Sequence, residues 1–518
     1  MSKHYDVVVL GTEVGPLAAA ALLARRSWRV LVLGQGARGA TYAYDGVPLA
    51  RRTSSLLAGA SPAWTRVLVE LAQSQTFRRR VVPVAPMLQV LLPRRRFELP
   101  PDGIAFGREC DREFPEVRRV IDDLYAELAR TNAAADTAFE RDVVWPPGGF
   151  WERREAARAQ GELPHVSVPG SALLAEFPRG HDYHAVVTTP ARFAADLAGE
   201  LPAFALARLH GAWTRGVVRL PGGDDELRDF LLERVKAHGG EVALSDRAAS
   251  IAHKGGKVTG VHIDGDERAT GVQFLVADAT RAVLDLAEGL ELSRRAQEAL
   301  PRTAARARRF VVTAVVRDRG LPAVLAHDAF VVPNAGDVVG PIHVQRWSRR
   351  DVDGARPWAT LPEGTSALVM EALLDAESPL PALQARAAVL GAVERVLPFV
   401  ERHYLVVDSP HDGAPIWDYR SGKRALVDRA LSRQGGGAVD AEPMVAQVEV
   451  TPASAGGLGG EALRAPLTNA FVVGRTTMPA LGQEGQLLSA WGVARAITKT
   501  DRKKERMRRE LWSKVELG

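Results

Sequence analysis

Residues 7–23, VVVLGTEVGPLAAAALL, carry a strand, a tight turn and the start of a helix. Val7–Leu10 is a continuous apolar run of strand length, Leu17–Arg26 is rich in alanine and leucine, and Arg29–Leu33 returns to β-branched and apolar residues. That order opens a parallel βαβ unit, the layout that binds a dinucleotide. In that layout a first glycine makes the turn, a second lets the backbone approach the pyrophosphate, and a third lets helix pack on strand. Gly11 fills the first position, but Glu13 and Pro16 stand in the second and third, with Gly15 between them. An ionised Glu13 would face the same phosphates that the helix N-terminus attracts, so it opposes the charge the turn is built to hold.

The whole chain of 518 residues, 46% hydrophobic and 25% charged, has ordinary globular composition and room for two or three packed regions. A single cysteine, Cys110, excludes an internal disulfide, a cysteine zinc cluster and a CxxC redox pair, and a cytoplasmic setting is expected. The apolar stretch Val7–Leu10 is too short for the core of an export signal. Val81–Leu92 is the longest apolar run, yet Pro83, Pro86 and Gln89 interrupt it and it falls short of the ~20 residues of a spanning helix; strands or a surface loop are expected. The net charge of +5 resides in the tail, where Lys499–Lys514 holds eight basic and three acidic residues. Met507, Leu511 and Val515 recur every four residues there, with Trp512 beside them. This spacing predicts a basic amphipathic helix over 499–518, either in peripheral contact with an anionic membrane or docked on the body through Leu511 and Trp512. No wider basic surface with interleaved aromatics is present, so nucleic acid is not an expected partner.

The α/β pattern of the opening returns twice. Asp225–His238 reads as a helix, Glu241–Leu244 as a strand, Lys254-Gly255-Gly256-Lys257 as a hairpin turn, and Phe274–Ala277 as a buried strand ending at Asp278. Asn469–Gly474 is one more buried strand and Gly485–Thr498 a final helix. A discontinuous Rossmann-like domain is therefore expected from residues 1–60, 215–290 and 460–500. The inserted α+β regions, 61–214 and 291–459, would form a substrate or cap domain, with helices such as Glu116–Arg130 and Pro381–Leu397 and strands such as Phe310–Val316.

These three blocks, in this order, resemble the two-dinucleotide-binding-domain flavoproteins: the phytoene desaturases, carotenoid isomerases and flavin amine oxidases, with Rab GDP-dissociation inhibitor as a non-catalytic relative. The resemblance rests on VVVLGTEVGPLAAAALLARRSWRVLVL, on RLPGGDDELRDFLLERVKAHGGEVALSDRAASI with KVTGV and FLVADAT, and on NAFVVGRTTMPALGQEGQLLSAWGVARAI. It implies an extended FAD with its pyrophosphate over Gly11–Pro16 and its adenosine ribose on an acid at position 34. The adenine would lie beside the backbone of Ala248, and the flavin over the helix start shaped by Gly482, Gly485 and Gln486. Gly34 lacks the implied acid, and Arg475, after Gly474, replaces the implied Asp. Opposite charges at positions that flank the same phosphates predict an ion pair between Glu13 and Arg475, because a partly buried carboxylate is costly unless matched; the alternative is that Arg475 clamps a phosphate of bound FAD while Glu13 turns to solvent.

Two function classes follow. In one, the chain keeps the fold with little or no FAD and holds an apolar small molecule or a protein partner; in the other, it is an active FAD-dependent oxidoreductase on an isoprenoid or other apolar substrate. A structural subunit acting through the basic tail is a third reading. No catalytic residue is assigned. His181-Asp182-Tyr183-His184 could offer imidazoles and a carboxylate to zinc, but no third ligand is indicated and no metal is expected. His343–Trp347 and His411-Asp412-Gly413 read as structural polar groups.

Overall fold

The computed structural model describes residues 4–161, 163–266, 269–334, 336–349, 356–428 and 441–516, with backbone alone for residues 160 and 511–516. Strands Glu241–Ala243, Val30–Leu33, His4–Leu10, Thr270–Ala277 and Ala470–Val472 run parallel in that spatial order, so pieces far apart in sequence build one sheet. The hairpin Ala248–Lys254/Lys257–Ile263 adds to Thr270–Ala277 antiparallel. Its turn is Gly255-Gly256, with φ of 58° and 72°, a backbone that glycine adopts without a Cβ penalty. Val7 and Val9 enter one core and Val8 and Leu10 another, the period of two of a strand covered on both faces.

Helix Val14–Arg25 is buried from Gly15 to Ala24, and it packs on both Gly223–Ala237 and the closing helix Gly482–Thr498. Its alanines present little more than a methyl on every side, which lets neighbours approach closely all round.

A second sheet has ten strands. Nine run in the order Ala425–Val427, Ile416–Asp418, Tyr404–Asp408, Arg302–Arg317, Thr365–Asp375, Ile342–Ser348, Asp328–Val331, Leu88–Leu91 and Arg96–Leu99, and Val445–Thr451 pairs with the first half of Arg302–Arg317. Both insertions thus share one sheet, because Leu88–Leu91 lies parallel to Asp328–Val331. The expectation of strands or a surface loop over Val81–Leu92 resolves to strands: all of Leu88–Leu91 is buried, and the Gln89 amide is accommodated by Glu98 at 2.9 Å. Helices Arg118–Glu140, Tyr183–Ala194 and Ala203–Thr214 pack on one another, and the last also meets Pro479–Leu481, the lead-in to the closing helix.

His210, on Ala203–Thr214, is fully buried with Nε2 2.9 Å from the Tyr125 hydroxyl, and burial pushes its pKa down to about 4. The unfolded chain takes up this proton first, so stability is lost as pH falls from about 6.5 through about 4. Urea unfolding is expected to show about 2 kcal/mol less stability from this group at about pH 5 than at about pH 7, and His210→Gln should remove that share.

The C-terminal helix Arg502–Glu516 lies on the body through its basic side chains. Arg508 is buried 2.9 Å from Asp142, and Lys504 Nζ sits 3.6 Å from the centre of the Trp28 ring. The side chains of Leu511, Trp512 and Val515 lie outside the described residues. Among the described residues no helix is long and apolar enough to cross a membrane.

Candidate ligand cavity and dinucleotide site

Glu13 caps the N-terminus of the first helix without a side-chain bond to it. Its carboxylate instead reaches Arg475 Nη2 at 3.0 Å and Arg52 Nη1 at 3.3 Å. The expected pairing is present, and Arg52 is a partner that the sequence did not point to. Arg475 continues to Asp196 at 3.0 Å and Arg52 to Asp224 at 2.9 Å, giving an alternating chain Asp224–Arg52–Glu13–Arg475–Asp196 across the mouth of the turn. Gln486 closes it, donating to Asp196 and accepting the Gly15 N–H, each at 3.4 Å. The Arg475 charge, aided by Arg52 and opposed by burial, pulls the Glu13 carboxyl down to about 2. Its contribution to stability is therefore present above the ordinary glutamate range and lost only as pH falls toward about 2.

A second carboxylate faces the same turn. Asp278 Oδ2 lies 3.9 Å from where a Cβ on Gly11 would stand, and burial together with the Glu13 charge raises the Asp278 pKa. Gly15 takes up the close helix–strand packing, since a Cβ there would come within 2.8 Å of Val473 Cγ1. Pro16 is tolerated as the third helical residue because first-turn N–H groups have no intrahelical acceptor, but it also removes a donor that a phosphate would use.

At the adenosine end of the expected site the chain's own groups pack closely. A Cβ on Gly34 would stand 2.0 Å from the Leu244 carbonyl oxygen, so no acidic side chain fits without moving backbone. The backbone N–H of Ala248 donates to Gln35 Oε1 at 3.0 Å, and the Arg247 guanidinium lies across Gly36. At the flavin end, Gly482 (φ 52°) packs on the Ala194 carbonyl and Gly485 on that of Met478. Gly474 packs on the Asp278 carbonyl. Glu484, in the first turn of the closing helix, is buried and held by Arg208 at 2.6 and 2.7 Å.

Beside the charge chain lies a cavity of about 140 Å³, bounded by the second sheet, helices Tyr183–Ala194 and Ala203–Thr214, and the starts of the first and closing helices. Its polar side includes Glu13, Arg52, Asp196, Asp224 and Arg475, and its apolar side Leu57, Phe193, Leu209, Trp213 and Phe330. The second sheet contributes Arg309, Glu371 and His343. Glu371 is buried, bound by Arg309 at 2.5 Å and by the Thr53 hydroxyl at 2.9 Å, and these partners hold its pKa low against burial. His343, read from sequence as structural, reaches this wall because it stands opposite Glu371 in register.

No protein-family model matches the sequence. No curated protein matches it either. Solved structures do match. An oxidoreductase from Methanosarcina mazei aligns at 15% identity over 94% of this chain and 99% of its own, with a TM-score of 0.61. Cyclohexylamine oxidase from Brevibacterium oxydans aligns at 15% over 96% and 99%, with 0.53. Rab GDI from Plasmodium falciparum aligns at 9% over 79% and 90%, with 0.51. The fold is that of the flavin amine oxidases and Rab GDI. Within this amine-oxidase fold the described residues include no group of three His, Cys, Asp or Glu side chains arranged for a metal. His181 contacts Glu116 at 3.2 Å, and Asp412 is buried in an ion pair with Arg386.

Proposed function

We propose that this chain keeps the flavin amine-oxidase fold without holding FAD in the extended pose, and that it acts as a non-catalytic binding module for a small ligand. The observation that carries this reading is the Glu13–Arg475 pair at 3.0 Å, which puts the chain's own ions where a pyrophosphate would need free N–H groups and positive potential. Gln35 on the Ala248 N–H and the Leu244 carbonyl against Gly34 support it at the adenosine end. The cavity also argues for a small occupant: about 140 Å³ is well under the ~300–1,000 Å³ of pockets that take drug-sized ligands, and a long isoprenoid is larger still.

The test is a gain of cofactor. Restoring an acid at position 34 is ruled out by the Leu244 contact, so the change is Glu13→Gly with Arg475→Asp and Gln35→Ala. Titration with FAD, read by flavin fluorescence, is expected to show saturable binding in the triple variant and none in the parent. Equal FAD binding by both proteins would contradict the proposal, as would a folded triple variant that gains none.

A further inference from the structure

His343 is nearly fully buried, and only one of its ring nitrogens has a partner. Nε2 lies 2.8 Å from Asp328 Oδ1, and Asp328 is itself buried and fixed by the Gln345 amide at 2.7 Å and by His327 at 2.8 Å. These contacts hold the Asp328 carboxyl well below the usual carboxylate range despite its burial. A carboxylate only accepts, so Nε2 donates its proton to Asp328 and Nδ1 is the ring nitrogen left for the cavity. Nδ1 has no hydrogen-bond partner among the described residues, and His343 lines the cavity. The ring is stacked on Phe330, centroids 4.5 Å apart and planes 9° apart, with Phe193 at 5.7 Å. Trp213 stands edge-on to the same Phe330. The charged groups nearest His343 on adjoining strands are Asp328, Glu371 and Arg309, and the last two are paired with each other.

We propose that the Asp328-held His343 is the hydrogen-bond acceptor of this cavity, and that the cavity takes a single-ring compound bearing one hydroxyl group. Volume sets the ring count, since about 140 Å³ is close to the ~150 Å³ of an apolar protein cavity that takes benzene. Charge sets the polar group: the arginines and carboxylates at the wall are already paired, so a charged ligand would find no unmatched counter-ion, whereas Nδ1 asks for a neutral donor. The inference deepens the binding-module reading and rests on it, because a flavin ring would compete for this space.

Phenol and toluene, equal in size and differing in the hydroxyl, are the probes, compared by calorimetric titration of the full-length protein. Phenol is expected to bind about tenfold more tightly, the worth of one well-made hydrogen bond. His343→Phe should remove the preference while retaining toluene. In the unaltered protein the Nδ1 resonance of the His343 ring should move on addition of phenol and far less on addition of toluene. Equal affinities for the two probes, a preference that survives His343→Phe, an Nδ1 resonance that phenol leaves unmoved, or no binding of either at about millimolar concentration would overturn the inference. The same samples are scanned for flavin. Flavin-free protein that shows no preference refutes this inference alone, whereas bound flavin refutes the reading beneath it.

Discussion

Arg208→Ala is expected to cost about 3–5 kcal/mol of stability, the usual penalty for removing one partner of a buried ion pair. Arg208 is 1% exposed and comes from the first insertion, on helix Ala203–Thr214. Its guanidinium makes a two-pronged contact to Glu484 at 2.6 and 2.7 Å, a further contact to Asp136 at 2.7 Å and one to the Asn132 side chain at 2.9 Å. Alanine would leave Glu484 buried at the first turn of the closing helix with the Ser61 hydroxyl as its hydrogen-bond donor among the described residues and the Arg215 charge farther off. The desolvation cost of that carboxylate then goes unmatched. Urea unfolding would register the loss, and replacing both members, Arg208→Met with Glu484→Leu, should recover most of it. A midpoint unchanged in Arg208→Ala would mean that this pair does not join insertion to Rossmann-like domain.

Arg386→Ala should be at least as damaging. The side chains of Arg386, Asp408 and Asp412 are all fully buried, and the guanidinium meets Asp412 at 2.5 and 2.6 Å, Asp408 at 3.3 Å and the Pro415 carbonyl at 2.8 Å. Removing it takes the guanidinium from two buried carboxylates instead of one, so about 5 kcal/mol or outright failure to accumulate soluble protein is expected. Arg386→Lys should rescue little, because an ammonium cannot reproduce the planar fork that serves two acids and a carbonyl together. The Tyr42 hydroxyl also donates to Asp408 at 2.7 Å, so the N-terminal hairpin Thr41–Ala50 should loosen with this cluster. Soluble Arg386→Lys with native thermal stability would show that the bidentate geometry is immaterial.

Much of the Rossmann-like sheet could be read from sequence because its signals are local. A strand, a glycine turn and an alanine-rich helix repeat within short windows, and the hairpin is announced by adjacent glycines. The Glu13–Arg475 pair was legible for a different reason: two opposite charges replaced two residues that flank one ligand in the resembled fold. Asp196, Asp224, Asp278, Arg52 and Gln35 gave no such signal. Their partners lie far away in sequence, and only packing brings them together. Arg302–Arg317 was legible in its second half alone, since Phe310–Val316 is buried and apolar whereas Arg302–Ala305 is exposed and alternates with no core. Leu88–Leu91 was obscured by neighbouring prolines and by Gln89, whose amide looks misplaced until Glu98 is seen opposite it. His343 looked structural because register across strands, which sets it beside Glu371 and the cavity, is not written in its own neighbours.

The proposed function leaves ions of the chain itself where the diphosphate of FAD would lie. Its most direct test is the visible absorption spectrum of the purified full-length protein after incubation with excess FAD and gel filtration, followed by assay of flavin released on boiling. A colourless protein releasing no measurable flavin is the predicted result. A yellow protein releasing one FAD per chain would contradict the account.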